Sequence, residues 1–427
     1  MKIFFCHIPK TAGTTVHTYL SQFYKWDDIC NISQMFPHKW WSDFRKDPDI
    51  GQDVIDSVQS YEFSYGHVGN YYLDKVPSNS HRTLMIFRDP EAVILSTYKM
   101  FRWSYEYGGN ARSDIKKSVA EQGLKALLCS DHIEIKRSID NPQSRKLGCR
   151  ASYAETVPNG SMQSDDINDA LVQLSNIEYV GTAEKLDRLL QIISFDAGLP
   201  APRNFTFENL GPPFSYVSEE IEECQELLEE NTKFDKIVYK EVDRLFEQRY
   251  KNRFSDLSKQ QVDDLIQQRF DSDGMATKLQ VVDEVYFMEM DDRIIGTGWH
   301  NRERAGPDGD VYRWMSNPTA TLLFDPVDKQ IAGVTVRVGQ GVDPTIRQSI
   351  RLVVAGVEFD ADDIDAVSDW ATIVFHPKEG QTPHVGNNHW SIDFCLDKVV
   401  RSAEIPGRSV DRRELGVRIS SMTVQMK

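Results

Sequence analysis

The stretch Cys6-His7-Ile8-Pro9-Lys10-Thr11-Ala12-Gly13-Thr14-Thr15 decides how the chain begins. Before it runs a short apolar segment ending at Cys6. After it Val16, Tyr19, Leu20 and Phe23 recur at the i, i+3, i+4, i+7 spacing of one helix face. Strand, loop and helix in that order open a parallel α/β sheet. The amides of such a loop converge on one point, and the following helix adds partial positive charge there. Gly13 allows close backbone approach, Thr11 and Ala12 contribute amides, Thr14 and Thr15 add hydroxyl donors, and Lys10 adds a full charge. The loop is a candidate site for a phosphate or sulfate. It differs from a Walker A loop, in which Lys stands directly between Gly and Ser/Thr at the helix start, because here Lys10 precedes Gly13.

A second buried strand is expected over Thr83-Leu84-Met85-Ile86-Phe87, ending at Arg88-Asp89-Pro90. Asp89 suits an N-cap and Pro90 the first helical position. Ile94, Tyr98 and Phe101 mark the face of the helix that follows. Arg88 leaves the carboxyl end of its strand, where α/β sheets bind ligands, and a guanidinium can grip a phosphate with two parallel bonds. Ser96 lies two turns further along that helix with a hydroxyl to donate. Taken alone, the same residues also read as a helix cap beside a surface arginine.

From 110 to 250 the pattern is mainly helical, with a short strand at Tyr179-Val180-Gly181 and a helical stripe at Phe234, Val238, Val242 and Leu245. Val262, Leu265, Ile266 and Phe270 give one more helix. From about Leu279 short β-like runs alternate with Gly, Pro and Asp turns, the texture of an all-β sandwich. The expected domains are therefore 1–270 and 279–427. The chain has 427 residues, 40% of them hydrophobic and 11% aromatic, enough for full cores in two domains. Its net charge of −16 gives no reason to expect a nucleic-acid-binding face. Six cysteines (Cys6, Cys30, Cys129, Cys149, Cys224, Cys395) have no C-x-x-C pairing and suit buried free thiols in a reducing compartment. No signal-peptide pattern follows Met1, and no apolar run reaches the ~20 residues of a membrane span, so a cytoplasmic location is expected.

The stretch HIPKTAGTT resembles the 5′-phosphosulfate loop of carbohydrate sulfotransferases that use 3′-phosphoadenosine 5′-phosphosulfate (PAPS), closest to the heparan and dermatan uronyl 2-O-sulfotransferase branch and its bacterial relatives. Arg88-Asp89-Pro90 with Ser96 and Tyr98 is similar to that family's 3′-phosphate element. Tyr65-Gly66-His67-Val68 resembles the segment carrying the branch's catalytic base. Asn141-Pro142-Gln143-Ser144-Arg145, Tyr179-Val180-Gly181-Thr182-Ala183-Glu184 and the stretch Asn231–Tyr239 also look like family landmarks in the expected order, over roughly residues 1–250.

The resemblance implies a P-loop-like sulfotransferase domain and in-line sulfuryl transfer from PAPS to a carbohydrate hydroxyl, leaving adenosine 3′,5′-bisphosphate. Lys10 would face the bridging oxygen of the leaving group. The loop amides with Thr11, Thr14 and Thr15 would hold the 5′-phosphate, Arg88 and Ser96 the 3′-phosphate, and His67 would act as base. Tyr65, Arg145 and Glu184 would line the acceptor side, the last two equally readable as a structural ion pair. The donor is already activated, so no metal is required, and PAPS is made in the cytosol. Two departures bear on the acceptor: Tyr65 stands where 2-O relatives often carry a second histidine, and Val93 replaces a common arginine. A lone histidine is also more often structural than catalytic.

Residues 279–427, with Gly298-Trp299-His300-Asn301-Arg302-Glu303, Tyr312-Arg313-Trp314 and the stretch Asp411–Val417, resemble accessory β modules of some bacterial polysaccharide enzymes. Aromatics there can stack on sugars, though Trp299 and Trp314 are first expected to fill the core. The alternatives are an ATP-dependent P-loop-like kinase and a non-catalytic glycan-binding protein. The absence of Gly-Lys-Ser/Thr opposes the first, and intact Lys10, Arg88, Ser96 and His67 oppose the second.

Overall fold

The computed structural model describes residues 1–32, 52, 55–56, 58–67, 81–107, 114–148, 160–202, 218–273, 276–282, 285–304, 309–341, 343, 345–362, 369–386, 389–401 and 413–427. Val68, Cys149, Asp411 and Arg412 lie outside them.

Ile3, Phe4, Phe5 and Cys6 are all buried and form β1 (Ile3–Cys6). A strand apolar on both faces belongs inside a parallel sheet covered on both sides. The chain continues through α1 (Gly13–Ser21), β2 (Ile29–Asn31), β3 (Phe63–Gly66), β4 (Arg82–Phe87) and α2 (Pro90–Tyr107). Then follow α3 (Asp114–Leu128), α4 (Ile133–Ile139), α5 (Pro142–Leu147), α6 (Ser164–Ser175), β5 (Tyr179–Thr182) and α7 (Leu186–Ala197). The last helices are α8 (Ser218–Glu223), α9 (Gln225–Phe254) and α10 (Lys259–Asp273).

The first five strands pair in the order β2-β3-β1-β4-β5, every pair parallel. β1 and β4 are neighbours, yet the chain leaving β1 goes on to β2 on one side and the chain leaving β4 goes on to β5 on the other. Such a reversal opens a crevice beyond the carboxyl ends of the two strands. One face of the sheet packs Phe4, Cys6, Met85 and Phe87 against Ala170 and Leu174 of α6 and Val238 and Val242 of α9. Each of these large side chains contributes about 1.5–3 kcal/mol by leaving water.

The described residues group into two compact units. The first comprises Met1–Gly13, Ile29–Ile192 and Leu210–Leu257, and the second Thr14–Asp28, Ile193–Asn209 and Ser258–Lys427. The last run of the second unit starts at Ser258, so by compactness α1 and α10 go with the β-rich unit.

In the second unit thirteen strands among the described residues pair into one continuous antiparallel sheet that closes over a core as a sandwich or half-barrel, in keeping with the texture of the sequence. Val334, Val336 and Val338 meet Leu352, Ile373, Phe375, Ile392, Phe394 and Val424 in a single core, so the sheet folds over on itself. Trp299 belongs to this core, 6% exposed, and its Nε1 donates to Thr321 O at 3.0 Å. Trp314 does not. It sits half-buried with Tyr312 on the other face of its strand, and the Arg418 guanidinium lies 5.4, 5.5 and 4.9 Å from the rings of Tyr312, Trp314 and Trp370. Cys6, Cys30 and Cys224 are buried, Cys395 is half-buried and Cys129 exposed, none of these five in a disulfide. No helix among the described residues is long and apolar enough to cross a membrane.

Candidate functional site

Three strands deliver residues to the crevice. The loop after β1 carries two non-glycine residues in the left-handed region, Lys10 at φ 69° and Ala12 at φ 63°. Each costs about 1–3 kcal/mol, and such strain concentrates where a loop must present its amides. Helix α1 begins at Gly13, so Thr14 and Thr15 lie in a first turn whose amides have no helical partner. Thr11 Oγ1 donates to Ile8 O at 2.8 Å. Its hydroxyl proton therefore shapes the loop, and only its backbone N–H remains to offer an anion.

Gly13 is required for a reason the sequence did not reveal. A Cβ placed there would fall 1.7 Å from His7 Nε2. The His7 ring lies against Phe5, 5.3 Å between centroids, and against His67, 4.4 Å away. The close approach at Gly13 is to a packed imidazole.

From β4 comes Arg88, whose Nη1 donates to Lys10 O at 3.2 Å and so joins the two loops. Asp89 caps α2 by accepting the Ala92 N–H at 2.9 Å, as its place before Pro90 predicts. Glu184 accepts the Asp89 N–H at 3.0 Å and the Tyr239 hydroxyl at 3.1 Å. Arg145 pairs with Asp140 at 2.5 Å and is 7% exposed. Glu184 and Arg145 thus have separate partners; the former supports the Arg88 turn, the latter lies in a buried pair.

The electrostatics are one-sided. Burial, and then the Arg88 charge, pull the Lys10 ammonium below its ordinary pKa. Burial and Arg88 do the same to Lys99, one turn beyond Ser96 on α2. Among the described residues no carboxylate is ion-paired to Lys10 or Arg88. The Arg88 charge acts on both lysines, and positive charge gathered in this way favours an anion. Ser96 stands half-buried on α2.

His67 leaves β3 beside β1, with His7 N donating to Gly66 O at 2.9 Å. Its Nδ1 lies 3.1 Å from His7 O. A carbonyl only accepts, so Nδ1 carries the proton and Nε2 keeps its lone pair. Burial first, then Lys146 and Lys10, against the opposing bond to His7 O, lower His67 to about 4. The imidazole is neutral at pH 7, the form a base needs. Tyr65, half-buried on β3, stacks on Phe63 at 5.4 Å and bonds Asn31, while burial raises its phenol pKa.

Sequence reasoning missed four contributors. Lys99 shares a helix face with Ser96 at i, i+3, a signal present in the spacing. Gln143 and Asp235 lie in stretches that look like family landmarks, but their roles and that of Lys146 were not legible, because their partners are backbone atoms distant in sequence. The Gln143 amide accepts the Arg88 N–H and donates to the Arg88 carbonyl, each at 2.8 Å. Lys146 Nζ donates to His67 O at 2.6 Å. A cavity of about 380 Å³ lined by Ile177, Tyr179, Arg249 and Arg253 lies at the amino end of β5, away from this crevice.

No family model matches the chain, and no curated protein is similar to it in sequence. Solved structures similar to its C-terminal part include a β-1,3-glucan-binding family 6 carbohydrate-binding module from Bacillus halodurans, at 12% identity and TM-score 0.21, covering 30% of this chain and 87% of that one. The C-terminal family 6 module of a laminarinase from Zobellia galactanivorans matches at 10% identity and TM-score 0.21, covering 33% and 98%. A family 35 carbohydrate-binding module from Clostridium thermocellum matches at 10% and 0.19, covering 34% and 95%. These are carbohydrate-binding modules, not sulfotransferases.

Proposed function

We propose that the chain is a PAPS-dependent sulfotransferase acting on a carbohydrate hydroxyl in the cytoplasm, with the crevice of β1, β3 and β4 as its active site. The observation that carries the reading is the 3.2 Å bond from Arg88 to the carbonyl of Lys10, which brings two cations, neither ion-paired to a carboxylate among the described residues, to the switch point of a parallel sheet.

In this reading Arg88, with Ser96 and Lys99 beside it on α2, holds the 3′-phosphate. The amides from Lys10 to Thr15 and the hydroxyls of Thr14 and Thr15 hold the 5′-phosphate. His67 Nε2 takes the proton from the acceptor hydroxyl while that oxygen bonds to sulfur. The bond from sulfur to the bridging oxygen breaks, and Lys10 faces the charge left on the phosphate. Tyr65, two residues before His67, would line the acceptor, while Glu184 supports the Arg88 turn through the Asp89 N–H. Arg145, already held by Asp140, acts through the placement of α5.

Calorimetry with adenosine 3′,5′-bisphosphate, ATP and AMP tests this. Micromolar binding of the bisphosphate, weaker binding of the others, and a loss of tenfold or more in Arg88→Ala are expected. Equal binding of ATP, or no effect of Arg88→Ala, overturns it. His67→Ala should then keep bisphosphate binding and lose transfer.

A further inference from the structure

Helix α5 is only six residues long, yet it touches both loops that the reaction needs. From its first turn Gln143, fully buried, brackets Arg88 with one carboxamide, accepting its N–H and donating to its carbonyl, both at 2.8 Å. One turn later Lys146 donates to the His67 carbonyl at 2.6 Å. The two side chains are three residues apart and share one helix face. The helix is itself fixed. Asp235 of α9, buried, accepts the N–H of Gln143 at 3.1 Å and of Ser144 at 2.6 Å. Asn141 Oδ1 accepts the N–H groups of Phe234 and Asp235, and Asn141 N donates to Asn231 O.

We propose that Gln143 and Lys146 are positioning residues that hold Arg88 and His67 at a fixed spacing, α5 acting as the brace between the loop of β4 and the loop of β3. The proposal rests on the sulfotransferase reading for the roles of Arg88 and His67, but the brace can be tested apart from it. At the end of β4 the strand ladder stops supplying partners, and the carboxamide takes its place for both backbone groups of Arg88. Truncating it frees the turn, and a guanidinium displaced by about 1 Å loses much of its use. Lys146 adds a second effect. His67 faces Lys146 from α5, Lys10 from the β1 loop, and the His7 ring and carbonyl. Removing the α5 charge takes away one of the influences that keep the imidazole neutral.

The test has two arms. NMR titration of the His67 ring in wild type, Lys146→Met and Lys146→Arg should move the midpoint upward by roughly one unit in the Met variant and little in the Arg variant. Calorimetry with adenosine 3′,5′-bisphosphate should show Gln143→Ala binding about tenfold more weakly than wild type, with unchanged far-ultraviolet circular dichroism. An unmoved His67 midpoint in Lys146→Met, or unaltered bisphosphate affinity in Gln143→Ala when wild type binds, overturns the proposal. If wild type binds no bisphosphate, the sulfotransferase reading falls, and the brace still stands or falls on the His67 titration.

Discussion

The ring of His7 occupies the space that a side chain on Gly13 would need, with Nε2 1.7 Å from the position of a Cβ. The ring cannot easily yield, being packed against Phe5 and His67. Gly13→Ala should therefore destabilise the protein by about 1–3 kcal/mol, the usual cost of forcing a methyl group into a filled space. Bisphosphate affinity should fall as well, because the loop and the base share that ring. Urea denaturation beside calorimetry checks both effects.

Lys99 lies close enough to Arg88 for the arginine charge to lower its pKa. If both face one anion, Lys99→Met should weaken bisphosphate binding by roughly threefold to thirtyfold, and the loss should shrink as salt is raised. Its effect on AMP, which lacks the 3′-phosphate, should be near zero. Titrations at two ionic strengths read the difference.

His67 predicts a pH dependence of stability. In the fold it takes its proton near 4, and in the unfolded chain near its ordinary 6.5. Between those values the unfolded state binds more protons. Its contribution is fully present above pH 6.5 and is lost as pH falls toward 4, by at most about 3 kcal/mol. Asp235 works the other way. Burial raises its carboxyl to about 6, so the fold gains from its protonation as pH falls through that value. The two can be separated by comparing wild type with His67→Gln. The variant should lose less stability between pH 6.5 and 4.5 in urea titrations.

Arg302, 4% exposed, donates to Asp291 O at 2.5 Å, to Ser21 O at 2.6 Å and to Tyr24 O, all within the second unit. Arg313 stands directly opposite it on the neighbouring strand and is fully buried. Arg302→Met removes three hydrogen bonds, one to the buried Ser21 carbonyl and two to the part-buried carbonyls of Asp291 and Tyr24. It should cost roughly 2–4 kcal/mol, while Arg302→Lys should recover part of that by keeping a donor. Denaturant midpoints of the three proteins provide the comparison.

The opening of the fold was legible because it rests on local rules. Continuous apolar runs gave β1 and β4, the i, i+3, i+4, i+7 spacing gave α1, the place of Asp89 before Pro90 gave the cap, and Arg88 falls at the carboxyl end of its strand as expected. What escaped depends on contacts between distant segments. Thr11 reads as a ligand for an anion until its proton is seen to go to Ile8. Arg145 and Glu184 look alike in a motif but take different partners, Asp140 for one and the Asp89 amide and Tyr239 for the other. Thr232 and Asp235 sit buried on the inner stripe of α9, where periodicity expects apolar residues, because Asp235 satisfies the amides of α5. Trp299 and Trp314 illustrate the same limit. Both stand on neighbouring strands, and only the pleat decides which of the two faces the core.

The strand order also governs when the crevice can exist during synthesis. Arg88 and Lys10 are 78 positions apart, and β4 completes the pairing of β1 only after β3 has taken its other edge. Synthesis exposes β1, apolar on both faces, well before either neighbour emerges. Parallel pairings of this separation form slowly, and an unpaired apolar strand invites association with other chains. Lys2 immediately before that strand supplies a charge at its exposed end until the neighbours arrive. A nascent chain arrested before β4 should therefore show greater dependence on chaperones than one released after β5.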